Sequence, residues 1–156
     1  MSWRWARVLA AAAPLVAREL PAQQVTELGV QAVGTASDPS MVTVAGYGAL
    51  RASRRLRLSL AAGLGGSDGR IAGRGELLAH FLLAPGARRG IGGYAAAGVA
   101  ATGGPVDQGY LVLTLGVESR PGTGSGWFLE AGVGGGARLA AGYRWRRFPA
   151  WWPLAQ

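Results

Sequence analysis

Eight consecutive stretches, most of them alternating apolar with small or polar residues, organise the chain from Val25 to Phe148. Their expected bounds are 25–35, 41–52, 54–64, 70–84, 90–102, 108–119, 126–134 and 137–148. The third is the clearest. Leu56, Leu58, Leu60, Ala62 and Leu64 share one phase, and Arg55, Arg57, Ser59, Ala61 and Gly63 share the other. The sixth sets Leu111, Leu113, Leu115 and Val117 against Tyr110, Val112, Thr114, Gly116 and Glu118, and the seventh sets Trp127, Leu129, Ala131 and Val133 against Phe128, Glu130, Gly132 and Gly134. Period two is the mark of a strand that faces two environments. The fifth stretch is nearly featureless Gly and Ala, so its register is the least defined by pattern. The breaks carry turn chemistry: Gly65-Gly66-Ser67-Asp68-Gly69, Pro85-Gly86, Gly103-Gly104-Pro105 and Pro121-Gly122-Thr123-Gly124.

Short links between successive strands require an antiparallel meander. Backbone polar groups cross lipid only inside a helix or a closed sheet, and eight strands suffice for a small barrel filled by its own side chains. The expected fold is therefore all-β, an eight-stranded antiparallel up-and-down (meander) transmembrane β-barrel without an open pore. One phase collects Glu27, Gln31, Arg57, Glu76, His80, Glu118, Glu130, Arg138 and Arg144. Acids and bases are nearly balanced there, as a buried face demands, because buried charge is tolerated only when paired. An interior polar network of Glu27, Arg57, Glu76, His80, Glu118, Glu130 and Arg144 is expected.

Composition narrows the picture. Gly is 27 of 156 residues, which disfavours helices and suits the bends and close approaches of a tight cylinder. Charged residues are 15% against a hydrophobic fraction of 49%, well under the roughly 25% charge of soluble domains. All 16 basic residues are Arg, a coding bias more than a functional choice, and the net charge is +8. Met1–Ala22 has a basic start (Arg4, Arg7) and a short apolar run, the pattern of a cleavable signal peptide. Removal of Arg4, Arg7, Arg18 and Glu19 with it lowers the excess to +6. The other basic residues lie in ones and twos at strand ends, which argues for anionic lipid head groups over nucleic acid. There is no Cys, so neither a disulfide nor a thiolate metal site exists. The expected organisation is a signal peptide at 1–22, a barrel at 23–148 and a Trp-rich tail at 149–156.

Taken whole, the chain resembles the small eight-stranded outer-membrane β-barrel proteins, the group of the OmpA transmembrane domain and the OmpX-like proteins. The resemblance rests on strand count, alternation, the signal-like start and the aromatic-ended last strand. It implies an outer-membrane location, contact with outer-membrane lipid, insertion by the barrel-assembly machinery and a monomeric state. An assembly signal and interface aromatics are expected at Gly142, Tyr143, Trp145 and Phe148. Phe148 is out of phase with the other two aromatics, and Trp151 and Trp152 extend past it. Family members that act as adhesins use long outward loops; those expected here, at 36–40, 65–69, 103–107 and 135–136, are too short.

His80 is the single histidine. A barrel lipid-modifying enzyme would need a nucleophile and an orienting acid beside it, for which Ser59 and Glu76 are the available partners. One His without Cys makes a transition-metal site implausible, and the Gly122-x-Gly124-x-Gly126 and Gly134–Gly136 runs lack the Lys and the helix of a phosphate loop. The leading expectation is a structural or interaction barrel of the outer membrane, not an enzyme, with no cofactor and no metal. The alternatives are a lipid-modifying barrel enzyme using His80 and a secreted soluble barrel that binds an apolar ligand.

Overall fold

The computed structural model describes residues 25–149; the signal-like segment and the Trp151-Trp152 tail lie outside the described residues. Eight strands follow in order: β1 (Thr26–Ala36), β2 (Met41–Arg51), β3 (Leu56–Ser67), β4 (Arg70–Leu82), β5 (Ile91–Gly103), β6 (Gln108–Ser119), β7 (Ser125–Val133) and β8 (Ala137–Arg147). Each pairs antiparallel with the next, and β1 pairs with β8 from Thr26↔Arg147 to Ala36↔Ala137, which closes the sheet into a barrel. The fold is an all-β meander barrel with no free sheet edge between first and last strand.

The alternation decides which face turns inward. Ile71 is 80% exposed and Leu111 78%, while Arg57, His80 and Arg144 are fully buried. This inverts a soluble protein, where charge sits outside and aliphatic side chains inside. Each strand carries the inversion. In β3, for example, Leu58, Leu60 and Leu64 face out and Arg57, Ser59 and Ala61 face in.

Most boundaries fall within two residues of the sequence reading, and the departures have local causes. β3 runs on through Gly65 and Gly66 to Ser67, so the expected five-residue turn shrinks to Asp68-Gly69. Those two residues have φ of 51° and 68°, the geometry of the tight hairpin turn for which Asp-Gly is favoured. β4 stops at Leu82, two residues short of Ala84. β8 stops at Arg147, so Phe148 lies past the strand. Its partner strand begins at Thr26, opposite Arg147, and Pro149 offers no N–H to continue a ladder.

Two inward glycines make room for rings. Tyr94 lies directly opposite Gly116, and Phe128 directly opposite Gly142. A Cβ at Gly116 would collide with the phenol end of the Tyr94 ring, and one at Gly142 would press on the edge of Phe128. The missing side chains are what allow aromatic rings to lie flat across a bore this narrow.

The barrel has two unlike ends. The chain enters and leaves at one end, together with the links at 52–55, 83–90 and 120–124; the turns at 37–40, 68–69, 104–107 and 134–136 form the other. At the terminal end the 120–124 link folds inward, with Pro121 buried. Backbone bonds from Arg120 N to Gly90 O (2.7 Å) and from Gly122 N to Arg88 O (3.1 Å) stitch it to the 83–90 link.

Candidate functional site

Among the described residues the interior holds ten charged Arg and Glu side chains, six Arg and four Glu, all buried. They form two clusters. Near the terminal end, Glu27 from β1 and Glu118 from β6 face Arg51, Arg57, Arg144 and Arg146. Glu118 Oε2 accepts from Arg146 Nη2 at 2.9 Å, Arg57 Nη1 at 3.0 Å and Arg144 Nη1 at 3.2 Å. Glu27 accepts from Arg144 at 3.2 Å and Arg51 at 3.3 Å, with Arg57 3.5 Å away. Each strand delivers its charge here because Glu27, Arg51, Arg57, Glu118 and Arg144 all occupy the inward phase near that end. The cluster carries more cations than anions, and link carbonyls take up the excess. Arg51 donates to Pro121 O at 3.3 Å, and Arg146 donates to Arg120 O at 3.3 Å and Thr123 O at 3.4 Å.

The second cluster lies toward the turn end. Arg138 meets Glu76 fork to fork, Nη2 to Oε2 at 2.7 Å and Nε to Oε1 at 3.0 Å, and its Nη1 donates to Glu130 Oε2 at 2.8 Å. Arg74 Nε donates to Glu76 Oε1 at 2.7 Å, and Tyr94 donates its hydroxyl to Glu130 Oε1 at 2.9 Å. Bidentate charged bonds of this kind fix position as well as energy.

Aromatic rings pack around the first cluster. Arg144 Cζ lies 4.0 Å from the Phe128 ring centre and 5.1 Å from that of Tyr47, and Arg57 Cζ lies 4.8 Å from that of Tyr94. Cation–π attraction is strongest where water is excluded. These rings, with Arg51, Arg74 and Arg146, are charged or aromatic interior residues outside the expected network, as is Arg138, which shares the polar phase but not the network. The phase of alternation would have found Phe128 and Arg146; Tyr94 sits in the featureless fifth stretch, where nothing marked a face.

His80 and Ser59 do meet. Ser59 Oγ is 2.7 Å from His80 Nε2, and Arg57 Nη2 is 3.4 Å from Nδ1. A guanidinium can only donate, so Nδ1 is the accepting nitrogen and Nε2 carries the hydrogen. His80 then donates to Ser59, the reverse of the bond a base needs in order to take a serine proton. Glu76, the other partner considered, is engaged by Arg74 and Arg138. His80 is fully buried and Ser59 nearly so. Among the described residues no group of His, Asp and Glu is placed to hold a metal.

The expected interface residues divide by face. Tyr143 and Trp145 point outward with ring centres 5.4 Å apart. Gly142 points inward beneath Phe128, and Phe148 follows the strand.

No protein-family model matches the chain, and no curated protein sequence does. A solved structure does match: the N-terminal β-barrel domain of Pseudomonas aeruginosa OprF, at 15% identity and a TM-score of 0.57. The match covers 80% of this chain and all of that domain. The chain therefore shares the β-barrel fold of that domain, with eight strands in sequential order closed into a cylinder.

Proposed function

We propose that the chain is a lipid-embedded barrel of the outer membrane with a structural or interaction role, and that it performs no catalysis. The observation that carries this reading is the inverted distribution of side chains. A continuous aliphatic belt covers the outside, and charge is confined to the interior and the two ends. Exposed in water, such a belt is far larger than the apolar patches soluble monomers tolerate. Strands of 9 to 13 residues match the roughly 9–11 that a tilted strand needs to cross hydrocarbon.

The two alternatives fit the interior less well. An apolar ligand would need an apolar cavity, and the bore is occupied by Arg, Glu and aromatic rings. A hydrolase would need His80 to accept a proton from Ser59, and its hydrogen points the other way. The same packed bore supports a barrel that does not pass solutes.

Expression of the full chain followed by gel migration of the membrane fraction, with and without boiling, tests the reading. A faster-moving unboiled band supports a closed, lipid-embedded barrel. Recovery in the soluble periplasmic fraction, with no heat-modifiable band, overturns it.

A further inference from the structure

The fold sorts every described charge by location. The four described Glu are inside, and Asp38, Asp68 and Asp107 occupy three turns at one end. The exposed Arg54, Arg55, Arg88, Arg89, Arg120 and Arg147 lie at the other end, which has no exposed acidic residue among the described positions, Glu27 and Glu118 there being buried in the bore. Arg70, at the turn end, is the one exposed arginine outside that group among the described residues. Along the chain these arginines are scattered; the meander brings them together because alternate links return to the same end.

The outward aromatics gather at the same end. Phe81, Trp127, Tyr143 and Trp145 all project from the terminal-end portions of β4, β7 and β8. Outward positions at the turn end are aliphatic or small. Arg55 Cζ lies 5.9 Å from the Phe81 ring centre, which puts that guanidinium on the outer wall of the barrel, where the apolar belt ends. Arg147 follows Trp145 by two residues on the same outward phase of β8. Amphipathic rings favour the head-group level of a bilayer, and arginine there meets phosphate with a fork of donors.

Resting on the reading of the chain as a lipid-embedded barrel, we infer that this arginine collar binds the phosphates of anionic phospholipids in the leaflet at the terminal end. Charge complementarity selects the partner. Six exposed cations without a counter-ion face a plane where phosphodiesters are the nearest anions, and the aromatic ring sets the depth at which they meet. The opposite end, with its three Asp, has no such attraction. The collar therefore orients the barrel as well as holding lipid.

The experiment uses the full-length chain refolded in phosphatidylcholine vesicles doped with brominated phosphatidylglycerol or brominated phosphatidylcholine. With Trp3, Trp5, Trp151 and Trp152 replaced by Phe, the two remaining tryptophans, Trp127 and Trp145, sit beside the collar, and quenching of their fluorescence reports which lipid lies there. The expected result is a preference for phosphatidylglycerol of roughly fivefold for each arginine that engages a phosphate, weakening as salt rises. Replacement of Arg54, Arg55 and Arg147 together by Gln removes most of it, because Arg55 and Arg147 are the two that stand at the outer edge of the apolar belt. These side chains are exposed and leave the interior untouched, and Arg70→Gln at the other end leaves the preference unchanged. Equal quenching by both lipids in the unaltered chain, or a preference that survives the triple replacement, overturns the inference. The second result would return the collar to a soluble acidic partner. If no brominated lipid quenches and no heat-modifiable band forms, it is the barrel-in-lipid reading that has failed.

Discussion

Glu118 is where the interior is most sensitive to a single change. Its Oε2 receives three guanidinium hydrogens at 2.9 to 3.2 Å, from Arg146, Arg57 and Arg144. Glu118→Gln keeps the shape and one accepting oxygen but removes the charge, leaving four buried arginines to share Glu27. Glu27 cannot absorb them, because Arg51, Arg57 and Arg144 already surround it. Arg146 has the link carbonyls as a second outlet, so the loss falls mainly on Arg57 and Arg144. Breaking a buried ion pair from one side typically costs about 3–5 kcal/mol, and that is the expected destabilisation. Urea unfolding of the chain refolded in detergent micelles, followed by tryptophan fluorescence and by the heat-modifiable band, measures it. A second variant separates charge from packing. Arg146→Gln in the Glu118→Gln background restores the cluster's original net charge. The two changes together should therefore cost less than the sum of the singles, by at least about 1 kcal/mol. A loss for Glu118→Gln below about 1 kcal/mol, the value of an exposed pair, or strict additivity of the two changes, would refute the view that this cluster is a dry and mutually dependent unit.

Three other outcomes are expected. Leu113→Arg, at an exposed mid-strand position of β6, should destabilise the barrel in vesicles by about 2–4 kcal/mol; a soluble barrel would register almost nothing in the same urea titration. Gly142→Ala should cost about 1–3 kcal/mol by overpacking against Phe128, with partial recovery on adding Phe128→Leu, since the Val30 carbonyl also crowds that site. Refolding in detergent without assembly proteins checks this, and a neutral result would leave Gly142 with no packing role. His80→Ala should leave the mass profile of lipid A unchanged in expressing cells, and any alteration would revive the enzyme reading.

Strand count, order and facing were legible because period two survives in β3, β4, β6, β7 and β8. Partnership was not. Arg138 and Glu76 stand 62 residues apart, and nothing short of the barrel's diameter and stagger brings them fork to fork. The Gly65-Gly66 pair read as turn residues but belongs to β3, because the Asp-Gly dipeptide after it makes a tighter turn than a glycine run suggests. His80 and Ser59 were recognisable as neighbours from strand adjacency. The direction of their bond was not, since it depends on Arg57 approaching the far side of the ring. The collar at the terminal end was hidden for a topological reason: arginines scattered along the chain become one group only when every second link is assigned to the same side.

The last strand bears on how the barrel can come into being. Each of the four buried glutamates touches an arginine of β8: Glu27 and Glu118 meet Arg144, and Glu76 and Glu130 meet Arg138. A sheet of the first seven strands would leave Glu130 with no arginine at all and would strip Glu27, Glu76 and Glu118 of part of their guanidinium shell, keeping only Arg51, Arg57 and Arg74, in the medium where underpaired charge is least tolerable. Sealing the cylinder and completing its ion-pair network are thus a single event. Such a barrel has no stable half-built form to be caught in, and a chain that stops before Ala137 should fail to insert at all.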